Sequence, residues 1–503
     1  MALKPELFDL LVIGGGINGV GIAADAAGRG LSVLLCEMGD LGSATSSNSS
    51  KLIHGGLRYL ELFEFRLVRE ALAEREILLR NAPHIIWPLR FILPYHSHLR
   101  PYWVIRAGLF LYDHLVKRTT LPASNTVKFT ADSPLSDEIT RGFEYSDAWV
   151  DDARLVILNA LAAQKNGALI KPRTQCVNAV RKEQYWSTTL EDKMTGQTET
   201  VHSRAIVNAA GPWASSLFND IQNCTTEESI RLVKGSHIIV PRLHNEPQGY
   251  ILQNRDNRIV FVIPYEEKFS LIGTTDLDYS GDPAEVAIEQ SETDYLIDIT
   301  NQYFKKQIRS SEVIHSYSGV RPLLNSSAEA AQSVSRDYKF ELNDNGQGLP
   351  LISVFGGKIT TYRKLSETAI DSLCDQYFPE SGARWTSKAA LPGGNFSSHK
   401  LLLDELMSRS PWLPNNLAYR YVRSYGTLSY RLLEGINTLE SMGLRFSDDL
   451  YEAEVLYLIN NEWAQTVEDM LWRRTKLGLH MTKEQTTALS SYLNKHFSKP
   501  NTA

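Results

Sequence analysis

The chain has 503 residues, 43% hydrophobic and 22% charged, with a formal net charge of -6. That length exceeds what a single hydrophobic core serves, so two or three domains are expected, and the composition excludes a largely disordered chain. The acidic balance argues against wholesale nucleic-acid binding, and four dispersed cysteines (Cys36, Cys176, Cys224, Cys374) indicate neither a zinc site nor a disulfide framework, which fits a reducing compartment.

The opening residues, MALKPELFDLLVIGGG, hold no apolar stretch ending in a cleavage signature, so they read as structure. Phe8 to Ile13 reads as a buried strand, Gly14 to Gly19 as a tight turn, Ile22 to Arg29 as a helix and Ser32 to Glu37 as a second strand. Within this βαβ unit Gly14-x-Gly16-x-x-Gly19 allows a pyrophosphate to rest on a helix N-terminus. Glu37, eighteen positions after Gly19, is placed to accept hydrogen bonds from ribose hydroxyls. The pattern predicts a dinucleotide site and does not separate NAD from FAD.

Ser43 to Ser50, SATSSNSS, is the one biased tract and taken alone is a flexible loop. Ile85 to Arg118 sets Arg90, Arg100, Arg106, Lys117 and Arg118 against Asp113, a formal +4. Trp87, Phe91, Tyr95, Tyr102, Trp103, Phe110 and Tyr112 are interspersed. This mixture makes the segment the best candidate for an anionic lipid surface; the plainer alternative is aromatic core with the arginines as a solvated rim or part of a substrate funnel. No stretch reaches the roughly 18 uninterrupted apolar residues that span a bilayer, so any attachment is expected to be peripheral.

From Gly235 to Asp276 three β-rich runs follow, GSHIIVP, RIVFVIP and FSLIGTTD, the last two joined closely enough for a hairpin at Tyr265 to Lys268. Leu351 to Leu373 repeats a strand, diglycine, helix pattern, and beyond Pro392 and Gly393 helical spacing runs through Asn415 to Gly435, Asp449 to Leu471 and Lys483 to Phe497. The fold class expected is α/β and α+β multidomain. A Rossmann-like cofactor domain comprises 1–80, 145–230 and 335–388, an antiparallel-sheet substrate or cap domain 81–144 and 231–334, and a helical C-terminal domain 389–503. In the last, Trp412, Trp463, Trp472, Arg473 and Arg474 are candidates for subunit contacts in a homodimer, with core packing the plainer reading for most of the tryptophans.

Five segments in order, SSNSSKLIHGGLRYLE (Ser46 to Glu61), IVNAAGPWA (Ile206 to Ala214), KGSHIIVP (Lys234 to Pro241), YSGVRPL (Tyr317 to Leu323) and FGGKITTYRKL (Phe355 to Leu365), resemble those of FAD-dependent glycerol-3-phosphate dehydrogenases, most closely the aerobic bacterial, respiratory type. The resemblance covers nearly the whole chain. It implies FAD as cofactor and oxidation of sn-glycerol 3-phosphate to dihydroxyacetone phosphate by hydride transfer to flavin N5, with electrons passed to a membrane quinone. It also implies a location in the cytoplasm and on the cytoplasmic face of the inner membrane. The rival readings are an oxidase delivering electrons to oxygen and a flavin-binding scaffold without turnover.

Under that resemblance the cofactor contacts are Gly14, Gly16, Gly19, Glu37, Ser46, Ser47, Ser50, Lys51, Gly55, Ala210, Gly211, Gly356, Gly357, Lys358 and Thr360. Lys358 and the amides of the following helix would stabilise negative charge on reduced flavin. Arg321, set in an apolar passage, needs a carboxylate or a bound anion. The substrate phosphate is favoured over a structural salt bridge, with Arg58 and Arg336 as further anion binders and Tyr59 and Thr274 as polar contacts. Of two histidines, His237 is taken as base or proton relay and His54 as a flavin-side contact. No metal is expected.

Overall fold

The structure, a computed structural model, describes residues 7–497 apart from 62, 97, 98, 257, 326–336, 345 and 347. Two sheets and a helical C-terminal unit organise it. The first sheet runs in the order Tyr338–Asn343, Leu351–Gly356, Thr198–Asn208, Leu7–Ile13, Val33–Cys36, Leu169–Lys171. Leu7–Ile13 pairs in parallel with both Val33–Cys36 and Thr198–Asn208. Alternating residues divide its two faces, as the strand period requires. Leu10, Val12, Val33, Leu35, Val207 and Val354 are buried in one core with helices Ile17–Gly28, Asp152–Lys165 and Tyr362–Tyr377, while Leu11, Ile13, Leu34 and Ile206 are buried with Cys176, Trp186 and Leu190 of the hairpin Thr174–Arg181 and Trp186–Asp192.

The second sheet carries Leu277–Asp278, Ile230–Pro241, Phe269–Gly273, Ile259–Tyr265, Gly249–Gln253, Ile86–Pro94, Arg141–Val150 and Leu52–Ile53 in that order, with His315–Leu324 antiparallel to Ile230–Pro241. The hairpin at Tyr265 to Lys268 is present, its two glutamates Glu266 and Glu267 at positive φ of 40° and 61°. One pairing, Gly249–Gln253 with Ile86–Pro94, is parallel. The boundary expected at 144/145 falls inside strand Arg141–Val150, which continues unbroken into the N-cap Asp151 of helix Asp152–Lys165. The two sheets therefore share a rigid crossing rather than a linker.

Three expectations need correction. The first helix starts at Ile17, not Ile22, so Gly19 lies inside it. Any side chain there would put Cβ 1.9 Å from the Gly14 carbonyl oxygen, so this glycine serves helix-to-strand packing. Helix His399–Arg409, which buries Leu402 and Leu406, was not read from the sequence. The segment Ile85 to Arg118 is not one aromatic surface. Phe91 and Tyr112 are buried, Trp87 stacks on Trp149 at 4.1 Å, and Arg141 lies over Tyr95 and Tyr102. Four of its five cations are engaged by the protein, Arg90 with Glu144, Arg100 with Glu61, Arg106 with Ser124 and Arg118 with Asp113, and Lys117 is exposed. Strand pairing decided this outcome, because Ile86–Pro94 is paired on both edges, with Arg141–Val150 and Gly249–Gln253, and buries Leu89, Phe91, Ile92 and Leu93.

Candidate active site

A cavity of about 540 Å³ opens along the carboxyl ends of Leu7–Ile13, Val33–Cys36 and Thr198–Asn208 and continues to the edge of the second sheet. In a sheet of this topology that crevice is where a dinucleotide binds. At one end Gly14, Gly16, Glu37, Met38, Gly39, Thr174, Ala210 and Gly211 form its walls. Gly16 caps helix Ile17–Gly28, whose Ile17 amide donates to Ser46 Oγ at 3.0 Å. The Glu37 carboxylate accepts from Gly15 N at 2.6 Å and Gly39 N at 2.7 Å, so the turn that would meet a ribose is fixed by the same residue that would bind it. Burial pushes the Glu37 carboxyl above its ordinary pKa and those two amides oppose the rise.

The other end gathers Ser50, His54, Tyr59, Gly235, Arg321, Gly356, Gly357, Lys358 and Thr360. The cations here come from separate elements. Arg321, on strand His315–Leu324, pairs with Asp276 and donates to Thr274 Oγ1 at 3.2 Å. Gly235 makes room for it, since a Cβ there would approach the guanidinium to 2.7 Å. Lys358 Nζ stands 3.9 Å over the Tyr59 ring. Thr360 Oγ1 accepts from the His54 amide at 3.3 Å, tying the diglycine turn to the segment after Gly357. The half-buried Arg58 sits beside Tyr59 on the short turn Leu57–Leu60, and no ion pair to it is found among the described residues.

His237 is fully buried behind this wall. Its Nε2 lies 2.9 Å from Ser50 Oγ and its ring stacks on Tyr317 at 4.8 Å. Burial, reinforced by the positive charges of Arg321 and Lys51, holds the imidazole well below its ordinary pKa, so it is neutral at pH 7. His237 thus meets the cavity through the Ser50 hydroxyl, whereas His54 lines it directly.

Some expected contacts lie elsewhere. Lys51 is buried against Asp152 at 2.8 Å and donates to the Ser47 carbonyl at 3.1 Å, so its ammonium serves an internal ion pair rather than the cavity. Gly19, Ser47, Gly55, Arg58 and Thr274 do not line the cavity. The Gly55 amide donates to Tyr112 Oη at 2.8 Å. Arg336 lies outside the described residues. Sequence reasoning missed Asp276, the carboxylate on Arg321, and the adenosine-side strand Thr174–Arg181. Asp276 closes the run FSLIGTTD and had a signal, because a buried arginine needs a counter-charge; the strand had none.

This geometry coincides with the outcome of comparison with known proteins. Residues 9–363 match the family model of FAD dependent oxidoreductases, and residues 384–494 match that of the C-terminal domain of alpha-glycerophosphate oxidase. The chain is 54% identical over 497 residues to a glycerol-3-phosphate dehydrogenase of Pseudomonas aeruginosa, covering 98% of this chain and 97% of that one. It is 49% identical over 496 residues to a D-erythritol 1-phosphate dehydrogenase of Brucella abortus, covering 98% of each. Among solved structures it is similar to the glycerol-3-phosphate dehydrogenase of Bacillus halodurans complexed with FAD, with a TM-score of 0.75 and 26% identity over 97% of this chain and 94% of that one. With its dinucleotide crevice, cation-bearing second sheet and helical C-terminal unit, the chain belongs to the family of FAD-dependent glycerol-3-phosphate dehydrogenases.

Proposed function

We propose that the chain oxidises sn-glycerol 3-phosphate to dihydroxyacetone phosphate and delivers the two electrons, through FAD, to a quinone in a membrane. The observation that carries this reading is the single cavity that has a dinucleotide turn at one end and Arg321, Lys358, Tyr59 and His54 at the other. Bound there, FAD supplies the acceptor for a hydride from the substrate's secondary carbinol.

The protein's part is positioning and proton handling. Arg321 and Lys358, which line the cavity, hold the phosphate, and Arg321 is aimed by Asp276 from behind. The carbinol proton passes to Ser50 Oγ and on to neutral His237, whose low pKa keeps it unprotonated as an acceptor. Glu37 and Ser46 would hold the adenosine and pyrophosphate portions of the cofactor, and Lys358 would stabilise negative charge at the flavin end.

Delivery to quinone requires a membrane surface. No helix among the described residues is long and apolar enough to cross a membrane. Helix Tyr102–His114 instead presents Trp103 at 72% and Phe110 at 57% exposure. The Arg100–Glu61 pair brings alongside it the segment carrying Phe63, which is 79% exposed, and Phe65. Such an aromatic patch, with Arg66, Arg69 and Lys117 also exposed, suits insertion at an anionic headgroup layer.

The 49% identity to a D-erythritol 1-phosphate dehydrogenase supports a second reading in which a longer polyol phosphate is the substrate. The ratio of kcat/KM for the two phosphates decides between them: preference for sn-glycerol 3-phosphate supports the first reading, and preference for D-erythritol 1-phosphate replaces it.

A further inference from the structure

The C-terminal unit contacts the loop that stands behind the adenosine end of the cofactor cavity. A π-helical turn, Asp469–Arg474, presses two consecutive arginines onto the loop that follows Glu37. Arg473 Nε donates to Asp40 at 2.5 Å, Arg474 Nη2 donates to the same carboxylate at 2.8 Å, and Arg474 Nη1 adds a further bond to it. The Arg474 guanidinium is completely buried, and Asp40 is 5% exposed. These are the two arginines read from sequence as candidates for subunit contacts, and both are engaged inside the chain.

The same turn holds the loop from its other side. Arg473 Nη2 donates to Asp469 at 2.5 Å, and that carboxylate also accepts from Arg173 Nη2 at 2.5 Å. The Arg173 amide in turn donates to the Gly39 carbonyl at 2.8 Å, and the neighbouring Thr174 amide donates to the Glu37 carbonyl at 2.7 Å. Glu37, Met38, Gly39 and Thr174 all line the adenosine end of the cavity. The loop is thus bracketed at Asp40 and at Gly39 by one ion network whose centre belongs to the C-terminal unit.

We propose that the C-terminal unit clamps the adenosine half of FAD: Arg473, Arg474 and Asp469 are positioning residues that set the Glu37 to Asp40 loop through Asp40 and Arg173. The inference rests on the FAD reading and is independent of the substrate.

The test uses the full chain freed of FAD and then reconstituted. Arg473→Met removes one bond to Asp40 while Arg474 keeps the carboxylate paired, so this variant retains its fold. Its dissociation constants for FAD and for ADP should both rise about tenfold or more, with Arg473→Lys recovering part of the loss. Once saturated with FAD, its KM for the phosphate substrate should match the wild type. The melting temperature of the FAD-free variant should stay near that of the FAD-free wild type, while the gain on adding a fixed FAD concentration shrinks. Asp40→Asn should act in the same direction. Unchanged FAD and ADP affinities in a folded variant, or a melting loss equal with and without FAD, would reduce the network to packing and overturn the proposal. Wild-type protein that takes up neither FAD nor ADP would overturn it together with the cofactor assignment.

Discussion

Replacing Arg321 by leucine separates the two roles the structure gives this side chain, a partner for Asp276 and a ligand for phosphate. The guanidinium pairs with Asp276 and also donates to Thr274 Oγ1 at 3.2 Å, so the substitution removes the arginine partner of a carboxylate that is 6% exposed. A charge-assisted hydrogen bond contributes about 1.5 to 3 kcal/mol. At about 1.4 kcal/mol per factor of ten, loss of the phosphate contact lowers kcat/KM about 10- to 150-fold. Glycerol, which has no phosphate, should be turned over equally slowly by both proteins. The double variant Arg321→Leu with Asp276→Asn isolates the effect: it removes the buried carboxylate's charge along with the guanidinium and recovers melting temperature, yet its kcat/KM for sn-glycerol 3-phosphate stays low. Steady-state kinetics with a soluble electron acceptor, alongside flavin content and melting temperature, provides the assay. Full recovery of kcat/KM in the double variant, or an unchanged value in the single one, would refute a phosphate role for Arg321.

If neutral His237 receives the proton through Ser50, the acid limb of kcat/KM lies below pH 6.5, because burial and the charges of Arg321 and Lys51 lower its pKa, and Ser50→Ala slows flavin reduction. A wild-type limb at or above pH 6.5 that disappears in His237→Gln would contradict this. His84, pulled by burial and the charge of Arg154 from 6.5 to about 3, is neutral in the fold but protonates in the unfolded chain below pH 6.5. Stability from this group is therefore complete above pH 6.5 and falls as pH drops. The stability difference between wild type and His84→Asn should shift by about 2 kcal/mol against the wild type from pH 7 to pH 5, measured by urea unfolding. For the membrane surface, wild-type protein should float with anionic vesicles. Trp103→Ser with Phe63→Ser should lose flotation and quinone reduction while keeping activity with a soluble acceptor; undiminished flotation would move the surface elsewhere.

The parts legible in sequence are those where local pattern and tertiary role coincide. The βαβ start, the hairpin after Tyr265 and the helical C-terminus each have a period or turn chemistry of their own, and the structure contains all three. Arg321 was legible as a cation in need of an anion, but its partner Asp276 is 45 residues away, and the choice between carboxylate and phosphate is set by strand pairing. Lys51 was misplaced for a related reason. It stands within a flavin-facing motif, yet its side chain turns to Asp152, 101 residues on. The aromatic segment Ile85 to Arg118 failed differently: composition cannot tell a strand largely buried in a sheet from a helix with exposed aromatics, and this segment holds one of each. Phe63 and Phe65 complete the exposed patch from outside that window, through a contact only the fold creates. The link between Asp40 and Arg474 spans 434 residues and left no local signal.

The central claim is that substrate and FAD meet in one cavity of this chain, and it is tested most directly without oxygen and without any other acceptor. Purified protein carrying FAD is mixed anaerobically with sn-glycerol 3-phosphate while the visible flavin absorbance is followed and the product is assayed. The account predicts that the flavin bleaches fully and that one dihydroxyacetone phosphate forms per flavin. Flavin that stays oxidised under saturating substrate, in protein shown to hold FAD, would contradict it.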